Sequence, residues 1–92
     1  MSDDVPSDVD VVLTQLFEET ETAIRAGEFE TARQTIATAT TVSRNKLPEG
    51  ELRAQLLHGC GEVTDTIAAD DDVESAVAIE YVRAMDQRLR ER

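Results

Sequence analysis

The sequence predicts an all-α fold: a four-helix antiparallel bundle made of two α-hairpins. Three observations predict it. Apolar residues recur at three- and four-residue spacing through four successive stretches. Breaks at Gly27, at Leu47-Pro48 and at Asp70-Asp71-Asp72 separate those stretches. The one segment of strong β propensity, Thr38-Ala39-Thr40-Thr41-Val42, keeps a period nearer 3.6 than 2. Short connections then favour sequential neighbours running up and down.

Residues 1–7 are polar, with Pro6 near their end, and read as a flexible tail before a single domain over 8–92. Ser7 or Asp8 can cap the first helix, expected over about Asp8–Ala26. Its inward stripe is Val9, Val12, Leu13, Leu16, Phe17, Thr20, Ala23 and Ile24. Gly27 ends it, because glycine adopts the left-handed conformation without steric cost. The second helix is expected from Glu28 to Arg44 or Asn45, with Phe29, Ala32, Ile36, Ala39 and either Val42 or Ser43 inward. Its first turn is acidic and its last basic, which suits the helix dipole.

The third helix is expected from Pro48 or Glu49 to about Ala68, since proline is tolerated in a first turn. Leu52, Leu56, Cys60, Val63 and Ile67 form its stripe, with Leu57 widening it. Gly59 and Gly61 interrupt it at about 1 kcal/mol each relative to alanine. They mark a close helix–helix approach or a mild kink, or else a break. Asp71 and Glu74 have the spacing of a capping box for the fourth helix, over about Val73–Arg90. Val73, Ala76, Val77, Tyr81, Ala84, Met85 and Arg88 share one face, and Ile79, Val82 and Leu89 widen it. So wide an apolar face implies a central packing position or a partner surface, with Ile79, Val82 and Leu89 as its contact candidates.

Bulk composition bounds the function. A chain of 92 residues is one domain with a modest core, which a homodimer would enlarge. Net charge is −11, from 20 acidic and 9 basic side chains. That charge argues against nucleic acid and against anionic membranes as partners. No apolar run approaches the roughly 20 residues of a membrane span. Met1-Ser2-Asp3-Asp4 lacks the features of a signal peptide, so a cytoplasmic location is expected. Eight of the nine basic residues are Arg, and only Lys46 is Lys. With abundant Thr, Ala and Asp, this composition resembles that of proteins from halophilic archaea. Molar salt shortens the Debye length to about 3 Å and screens repulsion among surface carboxylates. The whole reads as a haloarchaeal-type small acidic helical protein of an uncharacterised family.

A shift of 44 residues gives a partial self-match, pairing Glu28-Phe29-Glu30-Thr31-Ala32 with Asp72-Val73-Glu74-Ser75-Ala76. The first hairpin also resembles a tetratricopeptide repeat. Gly27-Glu28-Phe29-Glu30-Thr31-Ala32, followed by Ile36 and Ala39, looks like that family's turn and packing positions. Ala23 replaces a large residue of the pattern, and Glu80 falls where the second half needs bulk. The resemblance implies a tetratricopeptide-like hairpin stack as the alternative architecture.

Chemistry has few carriers. Arg53-Ala54-Gln55-Leu56-Leu57-His58 resembles the Arg-x4-His motif of HEPN ribonucleases, small helical bundles that dimerise. The resemblance implies acid–base catalysis by His58 and phosphate stabilisation by Arg53. Ala54 departs from the polar residue usual after that Arg, and the acidic surface opposes RNA. His58 and Cys60 are too few for a closed zinc site, and Cys60 lies on the apolar stripe. Asp70-Asp71-Asp72 reads as a solvated turn and cap rather than a calcium loop. Arg33, Arg44, Lys46 and Arg53 gather basic charge around the connection of the second and third helices. No cofactor, metal or small-molecule ligand is expected. The leading expectation is a non-enzymatic interaction or regulatory module that binds a protein partner or itself, and the alternative is the HEPN-like ribonuclease using Arg53 and His58.

Overall fold

The computed structural model describes residues 5–68 and 74–91. Within them the chain forms four helices: α1, Ser7–Arg25; α2, Phe29–Lys46; α3, Glu51–Thr66; and α4, Ser75–Glu91. α1 packs on α2 and α4, and α3 packs on α2 and α4, while among the described residues the diagonal pairs stay apart. The ring is therefore closed. In a repeat stack, α1 and α3 would lie side by side instead, so the bundle and not the stack is the architecture.

Register comes from individual contacts. Between α2 and α3, the Thr40 hydroxyl meets the Cys60 thiol, and Arg33 Nη1 donates to the Ile67 carbonyl oxygen at 2.9 Å. Moving seven residues back along α2 moves seven forward along α3, which is an antiparallel pair. Between α1 and α4, Arg83 reaches Glu21 at 3.1 Å and Arg90 reaches Glu18 at 3.8 Å, again antiparallel.

Local chemistry explains the helix ends. After α1, Gly27 takes φ 76°, the Gly27 N–H donates to the Ile24 carbonyl, and the Glu28 N–H reaches back to Ala23 at 2.8 Å. This is a Schellman closure, and it needs a residue that tolerates positive φ. At the other end of α1, neither Ser7 nor Asp8 acts as the cap. Pro6 holds that position without a side-chain bond, and its carbonyl accepts from the Asp10 N–H at 3.0 Å. Val5 is buried in the core, so the expected tail of residues 1–7 reaches into the fold at Val5 and into α1 at Ser7. Thr38, Thr40 and Thr41 return their hydroxyls to the carbonyls of Gln34, Ile36 and Ala37. These bonds satisfy the threonine hydroxyls locally, and burial of Ala32, Ile36, Ala39 and Ser43 keeps the β-prone stretch helical. The Asp71–Glu74 capping box and the Asp70-Asp71-Asp72 turn lie outside the described residues.

The core matches the expected stripes of α1, α2 and α3, with Ser43 rather than Val42 fully inward and Val12 turned out. α3 runs unbroken through Gly59 and Gly61. The fourth stripe requires correction. The buried residues of α4 are Ala78, Val82, Met85 and Leu89, whereas Ala76, Val77 and Ala84 are exposed. The buried line and the outer line Val77, Tyr81, Ala84 and Arg88 follow the same i, i+4, i+7, i+11 spacing, one position apart. In the C-terminal half, burying Met85 and Leu89 removes more apolar area from water than burying Ala84 and Arg88 would, and it keeps a charge out of the core. Val82 and Leu89, at 1% and 0% exposure, are therefore core residues and not partner contacts. Ile79 is half-buried against the same core.

The 44-residue echo is also out of register. It carries the buried residues of α2 onto Ala76, Glu80, Arg83 and Gln87, all exposed. An offset of 46 carries Ala32, Ile36, Ala39 and Ser43 onto Ala78, Val82, Met85 and Leu89, all buried. An offset of 43 carries Val9, Leu13, Phe17, Thr20 and Ile24 onto Leu52, Leu56, Cys60, Val63 and Ile67, also all buried. The two hairpins thus share one burial pattern, and the difference of the two offsets makes the step from Ile67 to Ala78 three residues longer than the step from Ile24 to Ala32.

Candidate functional site

The displaced stripe of α4 builds the most distinctive surface feature. Val77, Tyr81, Ala84 and Arg88 form one line along the outside of α4. Beside it, Ala54, Gln55 and His58 of α3 complete a predominantly apolar groove of about 370 Å³. Val77 is 41% exposed, and Tyr81 is half-buried and lines both the groove and the neighbouring hollow formed with Val77, Glu80 and Ala84.

Gly59 is the reason the two helices meet closely here. It is buried on the α4 side of α3, and a Cβ at this position would sit 2.6 Å from Met85 Sδ and 2.7 Å from Met85 Cγ. The equivalent position of the first hairpin, 43 residues earlier, is Leu16, which packs as a half-buried side chain against the core. The missing side chain at Gly59 therefore leaves room for Met85, and the two together line the groove. Gly61 faces open space and plays no such part.

The residues suggested for catalysis do not converge within the chain. His58 lines the groove with 75% of its side chain exposed and lies 3.8 Å from Glu62. Arg53 is not among the groove residues, is half-buried, and lies 3.9 Å from Glu49. Five positions on one helix put them about 140° apart around its axis. Cys60 is fully buried, and burial pushes its thiol pKa up, against a smaller lowering by the Thr40 hydrogen bond. It shares no site with His58. Among the described residues, no group of three or more His, Cys, Asp or Glu is placed to hold a metal ion.

The basic cluster divides. Arg33 serves the fold, since its guanidinium satisfies the carbonyl of Ile67 at the end of α3. It lies eleven positions from Arg44 on α2, about 16 Å along the axis. Arg44 and Lys46 are exposed, and they remain with Arg53 near the α2–α3 connection. On α4, Arg83 and Arg90 are used in ion pairs with α1, where Glu21 receives both Arg83 and Arg25.

The sequence expectation left the wide face of α4 open between core and partner surface, and missed the groove because it named Ile79, Val82 and Leu89 as contact candidates rather than Val77 and Ala84. One signal for it was present: the line from Val77 ends on Arg88, whereas the line from Ala78 ends on Leu89.

The fold and groove define a small closed helical bundle with an unfilled apolar surface and no assembled catalytic group among the described residues. The chain belongs to the DUF8101 family, a domain of unknown function, whose model matches residues 1–91. No curated protein and no solved structure matches it. No helix among the described residues is long and apolar enough to cross a membrane.

Proposed function

We propose that this protein is a non-enzymatic protein–protein interaction module whose contact surface is the α3–α4 groove. The observation that carries the reading is the outward stripe Val77, Tyr81, Ala84 and Arg88 beside an apolar groove. Apolar side chains kept in water at regular helical spacing favour a helix laid alongside them. A net charge of −11 weighs against nucleic acid as the partner.

The same composition supports a cytoplasm of high salt, of the halophilic archaeal type, as the working environment. Arg replaces Lys almost throughout, and the carboxylate excess is tolerable where its repulsion is screened.

The test is capture by the immobilised chain in about 1 M KCl, with Ala84→Arg and Val11→Ser compared with the wild type. Both substitutions fall on exposed helix positions, but only Ala84 lines the groove. A protein held by the wild type and by Val11→Ser, and released by Ala84→Arg, supports the reading. Strict monomers that capture nothing, or a captured protein indifferent to Ala84→Arg, remove it.

A further inference from the structure

We infer that the occupant of this surface is a second copy of the same chain, with the two α4 helices crossing antiparallel at a two-fold axis through Ala84. The inference rests on the interaction reading above and adds the identity of the partner.

A two-fold interface is isologous: where residue i meets residue j, j also meets i. A helix that docks on its own copy therefore needs opposite charges placed symmetrically about the axis. α4 has such an arrangement. Glu80 lies four positions before Ala84 and Arg88 four positions after it, and all three are exposed. An antiparallel crossing at Ala84 brings Glu80 of each copy opposite Arg88 of the other, giving two reciprocal pairs.

The remaining charges of α4 sharpen the argument. Arg83 pairs with Glu21, and Arg90 pairs with Glu18 and Asp86. Among the described residues, Glu80 and Arg88 enter no ion pair or hydrogen bond. The charges turned toward α1 are thus used inside the chain, and the two beside the groove are left for a partner. Ala84 at the crossing is small enough for the backbones to approach. Val77 and Tyr81 supply apolar surface beside the pairs.

Charge also sets the conditions. Two copies at −11 each repel at a distance. Salt screens that long-range repulsion more than it screens pairs that become partly buried. Association therefore tightens on going from low to molar salt.

The experiment is sedimentation equilibrium in about 1 M KCl on the wild type, Glu80→Arg, Arg88→Glu, the double exchange and Ala84→Arg, with far-UV circular dichroism confirming equal helix content. The expected result is a wild-type dimer, a loss of affinity of about tenfold or more in each single exchange, recovery in the double exchange, and monomers for Ala84→Arg. A wild type that stays monomeric to about 1 mM, a dimer unmoved by Ala84→Arg, or a double exchange that fails to recover overturns the inference. A monomer that still captures another protein in an Ala84-dependent way overturns self-docking and leaves the interaction reading intact. A monomer that captures nothing overturns both.

Discussion

Gly59 and Gly61 sit two positions apart on one helix and carry opposite predictions. A Cβ at Gly61 would meet nothing within 4 Å, so Gly61→Ala raises stability by about 0.5–1 kcal/mol through helix propensity. Gly59→Ala drives a methyl group into Met85, at 2.6 Å from its sulfur. Overpacking of that kind costs about 1–3 kcal/mol, which outweighs the propensity gain. Urea denaturation of the two variants checks both signs. Glu21 gives a pH prediction. Burial pushes its carboxyl up, but hydrogen bonds and charge from Arg83 and Arg25 prevail and hold it below the ordinary glutamate value. A depressed folded-state pKa gives stability that is full above the unfolded value of about 4.3 and is lost as pH falls through the folded value. Glu21→Gln therefore flattens the acid limb of a stability profile below about pH 5. The Cys60 thiol, buried and pushed up in pKa, resists alkylation at about pH 8 in the folded protein and reacts once urea unfolds it.

Elements with a single apolar stripe were legible in the sequence. α1, α2 and α3 each present one inward line, and their ends carry chemical punctuation at Gly27 and Leu47-Pro48. α4 was not legible in the same way. It carries two lines one position apart, and periodicity alone gives both the same spacing. The choice between them is made by tertiary packing, which takes Leu89 inward and leaves Arg88 out. The groove was legible only in part: the glycines of α3 marked a close helix–helix approach, but no local pattern announces that Gly59 meets Met85, 26 residues later. The Arg33 bond to the Ile67 carbonyl spans 34 residues and is equally silent in sequence. The hairpin repeat was partly legible. The sequence self-match suggested an offset of 44, but burial follows 43 for the first helix and 46 for the second, because the second connection is longer.

At the scale of the whole molecule, charge and size act together. A closed ring of four helices buries one core, and a net charge of −11 works against its compactness at low ionic strength. Thermal unfolding in about 0.1 M and about 2 M KCl should show a substantially higher midpoint in the concentrated salt, and an unchanged or lower midpoint would argue against the halophilic reading. The groove completes the picture, since a domain this small gains from covering apolar surface that one chain leaves open. The most direct test of self-docking through the groove is an amide chemical-shift dilution series in molar KCl. The prediction is concentration-dependent shifts concentrated at residues 54–59 and 77–88. Shifts confined to α1 and α2, or none across the accessible concentration range, would contradict it.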